Sequence, residues 1–334
     1  MKLSDLKKIR IFFSLLFFLL TGFLFLNFIY RVNPLLFDTV IYLQFIPSLV
    51  NFINVPSLFV IGFAIVLLST FFLGRVYCST VCPLGTLQDL IIYSSNKLSK
   101  KKKSTFEKEK KILRYSFFFL TLLSPLFFSI LIINLLDPFS SFGKILTNIF
   151  QPILIFINNT ISYFLFNLNN YSVPPTEFRG VELPSVIFSL FLFFTILTLA
   201  LLKGRLYCNT VCPVGTLLGL IAKVSFLKIA VDESSCSGCG VCQYSCKANC
   251  IDKSNKSVDY SRCVNCFNCF TACKTDGIVF ERRYKRREKR ENVDQSKRKF
   301  LFDTGLYSFS VATFGLLLQK IIVYKKTLIP EART

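Results

Sequence analysis

The sequence predicts a membrane all-α chain of two parallel internal repeats, each of two transmembrane helices, followed by a small cysteine-rich α+β domain and a C-terminal transmembrane helix. Three observations carry this expectation. The 334 residues are 52% hydrophobic, with 39 Phe and neither Trp nor His, far more apolar than a soluble domain. The segment GRVYCSTVCPLGTLQDL at 74–90 returns at 204–220 as GRLYCNTVCPVGTLLGL, identical at 12 of 17 positions. Eight of the 13 cysteines crowd into residues 236–273 in two copies of one spacing.

Crossing the hydrocarbon layer as a helix takes roughly 17–25 apolar residues, and four such runs are plain: 9–30, 57–73, 112–136 and 183–202. A fifth, 301–323, is weaker. No small-residue cleavage site follows the first run, which is therefore expected to stay as an uncleaved helix. The apolar stretches 34–55 and 145–168 are interrupted by Pro34, Pro47, Asn51 and Asn54 and by Pro152, Asn158 and Asn159, which predicts interfacial or re-entrant segments at matching places in the two halves.

Basic residues gather before the first span (Lys2, Lys7, Lys8, Arg10), between the second and third (KLSKKKKSTFEKEKK, 97–111) and after the cysteine-rich region (RRYKRREKRENVDQSKRK, 282–299). The opposite loops, 31–56 and 137–182, hold only Arg31, Lys144 and Arg179. Such asymmetry puts the basic segments and the cysteine-rich domain on the cytoplasmic side, and explains the net charge of +21 by topology and anionic lipid headgroups rather than by nucleic acid. The expected domains are 1–96, a first transmembrane repeat; 97–111, a basic linker; 112–226, the second repeat; 227–281, the cysteine-rich domain; 282–299, a basic linker; and 300–334, the last helix and a short tail.

Each repeat ends in C-x3-C-P. Proline disfavours helix at Cys82 and Cys212 and suits the first turn of a new helix, so both pairs are expected on turns, with helices over 83–95 and 213–226. Arg75 with Tyr77, and Arg205 with Tyr207, read as headgroup-level anchors at the end of a span. Acid–base residues for quinol chemistry would have to be Asp38, Asp89 or Asp137, near the ends of spans, and each is expected instead as a helix cap or a surface charge.

The cysteines sort into two copies of C-x2-C-x2-C-x3-C (Cys236, Cys239, Cys242, Cys246 and Cys263, Cys266, Cys269, Cys273), the two repeat pairs (Cys78, Cys82 and Cys208, Cys212) and Cys250. On a reducing face, close-spaced cysteines point to metal, and two triplets with a trailing fourth depart from the separated pairs of a zinc finger. The octet resembles the bacterial two-cluster ferredoxins, in which the fourth cysteine crosses to the other cluster. That resemblance implies one [4Fe–4S] cluster on Cys236, Cys239, Cys242 and Cys273 and another on Cys263, Cys266, Cys269 and Cys246. Gly238 and Gly240 would let the backbone wrap the first closely. Lys247 and Lys274 stand where the pattern carries Pro, and Cys250 is expected as a buried, unligated thiol.

Two membrane repeats ending in C-x3-C-P, followed by a two-cluster ferredoxin domain, resemble the NapH-type membrane polyferredoxins over about residues 1–281. The resemblance implies a multi-pass protein of the bacterial cytoplasmic membrane, exchanging electrons between the quinone pool or a cytoplasmic donor and redox partner proteins. SKRKFL at 296–301 looks like a degenerate twin-arginine signal, read here as the flank of a plain anchor helix. The alternative function is a maturation factor that reduces or hands over a metal during assembly of a respiratory enzyme, with Cu(I) on the repeat thiolates. Finally, the parallel repeat is expected to bring Cys78, Cys82, Cys208 and Cys212 together as a third iron–sulfur or soft-metal site flanked by Arg75 and Arg205.

Overall fold

The computed structural model describes residues 3–26, 34–54, 62–98, 105–124, 131–168, 171–177 and 182–282. They lie in the first of two compact units, Met1–Arg283; the second, Tyr284–Thr334, holds most of the expected basic linker and all of the C-terminal helix, which fall outside the described residues.

The described part is largely helical. Helix α1 (Leu3–Leu26) turns Phe12, Leu19 and Phe23 outward, and its length and composition suffice to cross a membrane. Helices α2 (Pro34–Tyr42) and α3 (Phe45–Asn54) are each too short to do so. Helix α4 (Gly62–Leu73) covers the described part of the second predicted span, while α7 (Lys111–Leu123) and α8 (Leu131–Leu136) fall in the third. Helix α11 (Leu183–Lys203) is the fourth, ending at Gly204, whose φ of +64° is a conformation that favours glycine.

The stretch 145–168, expected as an interfacial or re-entrant segment, falls, up to Asn167, within a longer continuous helical run. Helix α9 (Pro138–Ile145), a π turn (Leu146–Phe150) and helix α10 (Gln151–Asn167) make one 30-residue helical run long and apolar enough to span. Pro152, which has no N–H to donate, directly follows the π turn, whose wider bonding (Gln151 N to the Leu146 carbonyl) lets the helix continue past the missing donor. Asn158 and Asn159 turn their amides to the 171–177 segment: Asn158 donates to the Pro174 carbonyl at 3.1 Å and Asn159 to that of Thr176 at 2.9 Å. Asp137 caps α9 by accepting from Ser140 N at 2.8 Å, as the sequence suggested, and Asp38 is exposed.

Each C-x3-C-P segment folds as a helical turn followed by a helix: α5 (Tyr77–Thr80) then α6 (Pro83–Leu98), and α12 (Leu206–Thr210) then α13 (Pro213–Ala222). Cys78 and Cys208 therefore sit inside a helical turn, and only Cys82 and Cys212 occupy the break before Pro. The ferredoxin-like domain follows directly. Strand β1 (Leu227–Val231) pairs antiparallel with β4 (Ile278–Arg282), and β2 (Ile251–Asp252) with β3 (Ser257–Val258); the short helices α14 (Val241–Tyr244) and α15 (Asn268–Ala272) lie between them in sequence.

The glycine of each Gly-Arg pair seats this domain. A Cβ on Gly204 would collide with the Lys247 carbonyl, and one on Gly74 (φ +80°) would come within 2.9 Å of Asn265 Nδ2. Gly204→Ala is expected to cost roughly 1–3 kcal/mol for a positive-φ backbone open essentially to glycine alone, with the carbonyl clash in addition, and to speed protease cleavage of the ferredoxin-like domain. Gly22→Ala, in open space on α1, serves as the silent comparison, and equal proteolysis of the two variants would refute the seating role.

Candidate functional site

The two repeats lock together through their arginines. Arg75 and Arg205 are fully buried, so they are not the headgroup anchors the sequence suggested. Each reaches across to the other repeat. Arg75 Nη2 donates to the Cys208 carbonyl at 3.1 Å, and Arg205 Nη1 to the Cys78 carbonyl at 2.6 Å. Those carbonyls pack where a Cβ would stand on Gly85 and Gly215, which explains the glycine three residues after each second cysteine. Tyr77 and Tyr207 are buried as well; Tyr77 OH donates to Gln44 Oε1 at 3.0 Å and accepts from Phe45 N at 3.2 Å.

This crossover brings the four predicted repeat cysteines together. Cys78, Cys82, Cys208 and Cys212 are all buried, and their thiols act electrostatically on one another across the repeats. Cys212 Sγ accepts from Gly215 N at 3.3 Å; Cys82 has the matching bond from Gly85 N. Burial pushes the thiols of Cys82 and Cys212 well up and that of Cys208 to about 11.

Two buried donors beside the set lack partners. Among the described residues Arg75 Nε has no partner and no carboxylate pairs with this guanidinium: Nη1 donates to Asn209 Oδ1 at 2.8 Å and the Ser261 carbonyl at 3.0 Å, and Nη2 lies 3.8 Å from Cys78 Sγ. Gln88 Nε2 is likewise unpaired, while its Oε1 lies 3.4 Å from Cys208 Sγ. A buried, unneutralised cation and a free amide donor are costly beside neutral thiols and favourable beside thiolates. With Cys208 deprotonated, a flip of the Gln88 amide would place a donor on the sulfur. The residues present therefore suit an anionic thiolate-bound group.

In the ferredoxin-like domain the structure gathers both expected sets. Cys246, Cys263, Cys266 and Cys269 are buried and line one cavity, together with Cys250. Cys236, Cys242 and Cys273 are partly exposed and Cys239 is exposed; Cys242 feels the charges of the other three. Gly238 and Gly240 have φ of +74° and +73°, and the matching residues of the second motif, Asn265 and Phe267, have +49° and +58°. Left-handed backbone at a phenylalanine is rare, and its recurrence at the same motif position shows that the wrap, not the residue, sets it. Among the described residues no three Cys, Asp or Glu side chains close on one point as a single metal ion needs. A cubane, with four ligands on four separate irons, makes no such demand.

Cys250 is buried as expected, but its sulfur lies 3.5 Å from that of Cys246, a contact that the spacing did not reveal. Hydrogen bonding from the Cys250 thiol draws Cys246 down to about 6.

Asp89 is the residue that sequence reasoning undervalued. It is buried, not a surface charge, and three cations surround it: Arg205 Nε at 2.8 Å, Arg10 Nη1 at 2.9 Å and Lys247 Nζ at 3.3 Å. Burial would raise its carboxyl, but Arg205, Lys247 and Arg10 outweigh that and hold it well below the usual carboxylate range. The signal in the sequence was its position: Asp89 is a carboxylate in one repeat where the other has Gly219.

Residues 55–104 and 185–230, the segments bearing the two C-x3-C-P motifs, match the family described as 4Fe-4S binding domain. Two uncharacterized proteins of Methanocaldococcus jannaschii are similar. MJ0749 is 24% identical over 65% of this chain and 68% of its own length, and MJ0750 is 25% identical over 67% and 79%. The methylamine utilization ferredoxin-type protein MauN of Methylobacillus flagellatus is 28% identical over 51% of this chain, which spans about half of that protein (47%). No solved structure matches. The chain thus carries a ferredoxin-type 4Fe–4S domain alongside candidate membrane helices, a combination suited to electron transfer.

In the cluster-free chain at neutral pH, iodoacetamide should modify exposed Cys239 first, since the Val241 N–H stabilises its thiolate, and the four buried repeat cysteines last. Peptide mass spectrometry over a time course reads the order; early labelling of Cys78 or Cys208 would mean that the crossover is open.

Proposed function

We propose that the chain is a membrane-bound electron-transfer protein of the NapH type. Two [4Fe–4S] clusters would be held by Cys236, Cys239, Cys242 and Cys273 and by Cys246, Cys263, Cys266 and Cys269, and a third iron–sulfur site by Cys78, Cys82, Cys208 and Cys212. The observation that carries this is the crossover: four buried thiols from two repeats meet beside an uncompensated guanidinium, in the segments that match a 4Fe-4S binding family. Clusters held there supply one-electron couples. The chain's own residues bury the sites from water, present Arg75 and Gln88 as donors to thiolate sulfur, and leave only the Cys239 set open to a soluble partner.

The unequal sharing of Lys and Arg supports a ferredoxin-like domain on the cytoplasmic side, in contact with anionic lipid headgroups; the NapH-type resemblance adds a bacterial cytoplasmic membrane and electron exchange between the quinone pool or a cytoplasmic donor and redox partner proteins. Ser254→Cys should accordingly label with a membrane-impermeant maleimide only after the cells are permeabilised; labelling in intact cells would invert the topology.

Iron and acid-labile sulfide content tests the third site. The purified chain should carry more iron than two cubanes hold, and changing Cys78 and Cys208 together to Ala should bring it down to that value. Wild type already at two cubanes' iron, with no other metal, would leave the four thiols without a cluster.

A further inference from the structure

The repeat is least symmetric at Asp89. Its counterpart is Gly219, where the space for a side chain is filled by Arg114 Nη2 and the Ser261 carbonyl. Arg114 corresponds to Arg10 as the basic residue near the start of its repeat, yet it pairs with Glu109 at 2.6 Å, whereas Arg10 goes to Asp89. One repeat therefore places a carboxylate at this position and the other does not.

That carboxylate stands between the two buried cysteine sets. On the ferredoxin side, Lys247 directly follows Cys246, its Nζ lies 3.3 Å from Asp89, and its carbonyl accepts from Arg205 N at 2.9 Å. On the repeat side, Arg205 holds Asp89 through Nε at 2.8 Å while Nη1 bonds the Cys78 carbonyl at 2.6 Å and Nη2 that of Gly85 at 3.1 Å. Arg205 acts electrostatically on Cys208 of one set and Cys266 of the other. The exposed set built on Cys239 has a cation of its own in Lys274.

We propose that Asp89 is a positioning residue shared by the two buried cysteine sets: its carboxylate fixes Arg205 and Lys247 between them and offsets their charge, so that the groups held by both sets are tuned together while the exposed set is not. The inference rests on the iron–sulfur reading above. Removing one negative charge from a low-dielectric interior leaves the neighbouring cations unopposed and favours the more negative, reduced state of whatever the thiolates hold. Removing Lys247 does the reverse.

EPR-monitored redox titration of the full chain, with iron content measured alongside, tests this. A soluble paramagnetic relaxing agent distinguishes the exposed cluster from the buried one. Asp89→Asn should raise the midpoint of the buried ferredoxin cluster by a tenfold change in its reduction equilibrium, about 59 mV for one electron, with the repeat cluster moving the same way. Lys247→Gln should lower the buried midpoint, Lys274→Gln should move only the exposed one, and Asp89→Glu should return the buried one towards wild type. Shifts of the same sign for Asp89→Asn and Lys247→Gln, or an exposed cluster that moves as far as the buried one, would overturn the proposal. Should Asp89→Asn fail to assemble, Lys247→Gln, which keeps the Asp89–Arg205 pair, decides alone, and an unchanged midpoint refutes the role. Iron no higher than two cubanes' worth in wild type counts against the third site, whereas a fully loaded chain with an unmoved buried midpoint counts against Asp89.

Discussion

Two guanidiniums exchanged between repeats hold the rest of this structure in place. A guanidinium presents five donors in a rigid plane, so a buried Arg must find several acceptors in fixed directions. The C-x3-C segment supplies them because a single helical turn leaves its own carbonyls without partners. Arg75 takes the Cys208 carbonyl and Arg205 that of Cys78, so neither repeat can complete its hydrogen bonds without the other. Most of the identities shared by the two 17-residue segments follow from this one constraint. The first glycine admits the ferredoxin-like domain, the arginine crosses over, and the proline starts the next helix. The glycine after it makes room for the cysteine carbonyl, and Thr86 and Thr216 bond back to the carbonyls of Cys82 and Cys212 at 3.3 and 3.2 Å.

Burying charge on this scale needs compensation, and the way it is distributed distinguishes the two halves. Arg205 has Asp89 and Arg114 has Glu109, but among the described residues Arg75 has only neutral acceptors. Breaking one partner of a buried pair typically costs about 3–5 kcal/mol, so a guanidinium lacking a carboxylate altogether must be stabilised by something else. Its nearest candidate is the sulfur of Cys78 at 3.8 Å. Raised thiol pKa values and an unpaired guanidinium are two sides of one electrostatic imbalance. Thiols resist ionising in a dry pocket, and the cation there favours them ionised; a thiolate-bound cationic core satisfies both.

What the sequence revealed and what it hid divide along physical lines. Covalent spacing carries ligand geometry, so both ferredoxin sets and the four repeat cysteines could be named from their spacing and from the resemblance to two-cluster ferredoxins, and the structure places each set together. Periodicity and length gave α11 nearly to its ends, whereas α1 starts at Leu3, ahead of the predicted 9–30 run. The arginines were misjudged because an Arg after an apolar run usually snorkels to the headgroups; that expectation considers one helix in lipid, whereas here the second repeat fills the space where lipid would be. Asp89 was hidden for the same reason, since its three cations come from segments about 80 to 160 residues away. Over 138–167, proline and asparagine were weighed as helix breakers, but a π turn and the neighbouring 171–177 segment satisfy the groups they disturb.

The ferredoxin-like domain has its own internal two-fold, and the surface that receives it breaks that symmetry. The first motif keeps glycine at both left-handed positions, and its three leading cysteines, Cys236, Cys239 and Cys242, stay partly or wholly open to solvent, while Cys246 is buried. The second places there Asn265, a residue that tolerates this backbone well, and Phe267, which does not, and each makes contacts that a glycine could not. Asn265 donates to the Leu73 carbonyl at the end of α4, while the Phe267 ring packs on Phe270 and Phe280 with centroids 6.1 and 5.8 Å away. Left-handed backbone costs roughly 1–2 kcal/mol at a non-glycine residue, comparable to what burying one aromatic ring contributes. The leading triplet of the second motif, Cys263, Cys266 and Cys269, is thereby fixed buried against the C-x3-C repeats, and the leading triplet of the first is left facing outward. One set can meet a soluble partner while the other meets the crossover, an arrangement that two identical motifs could not provide.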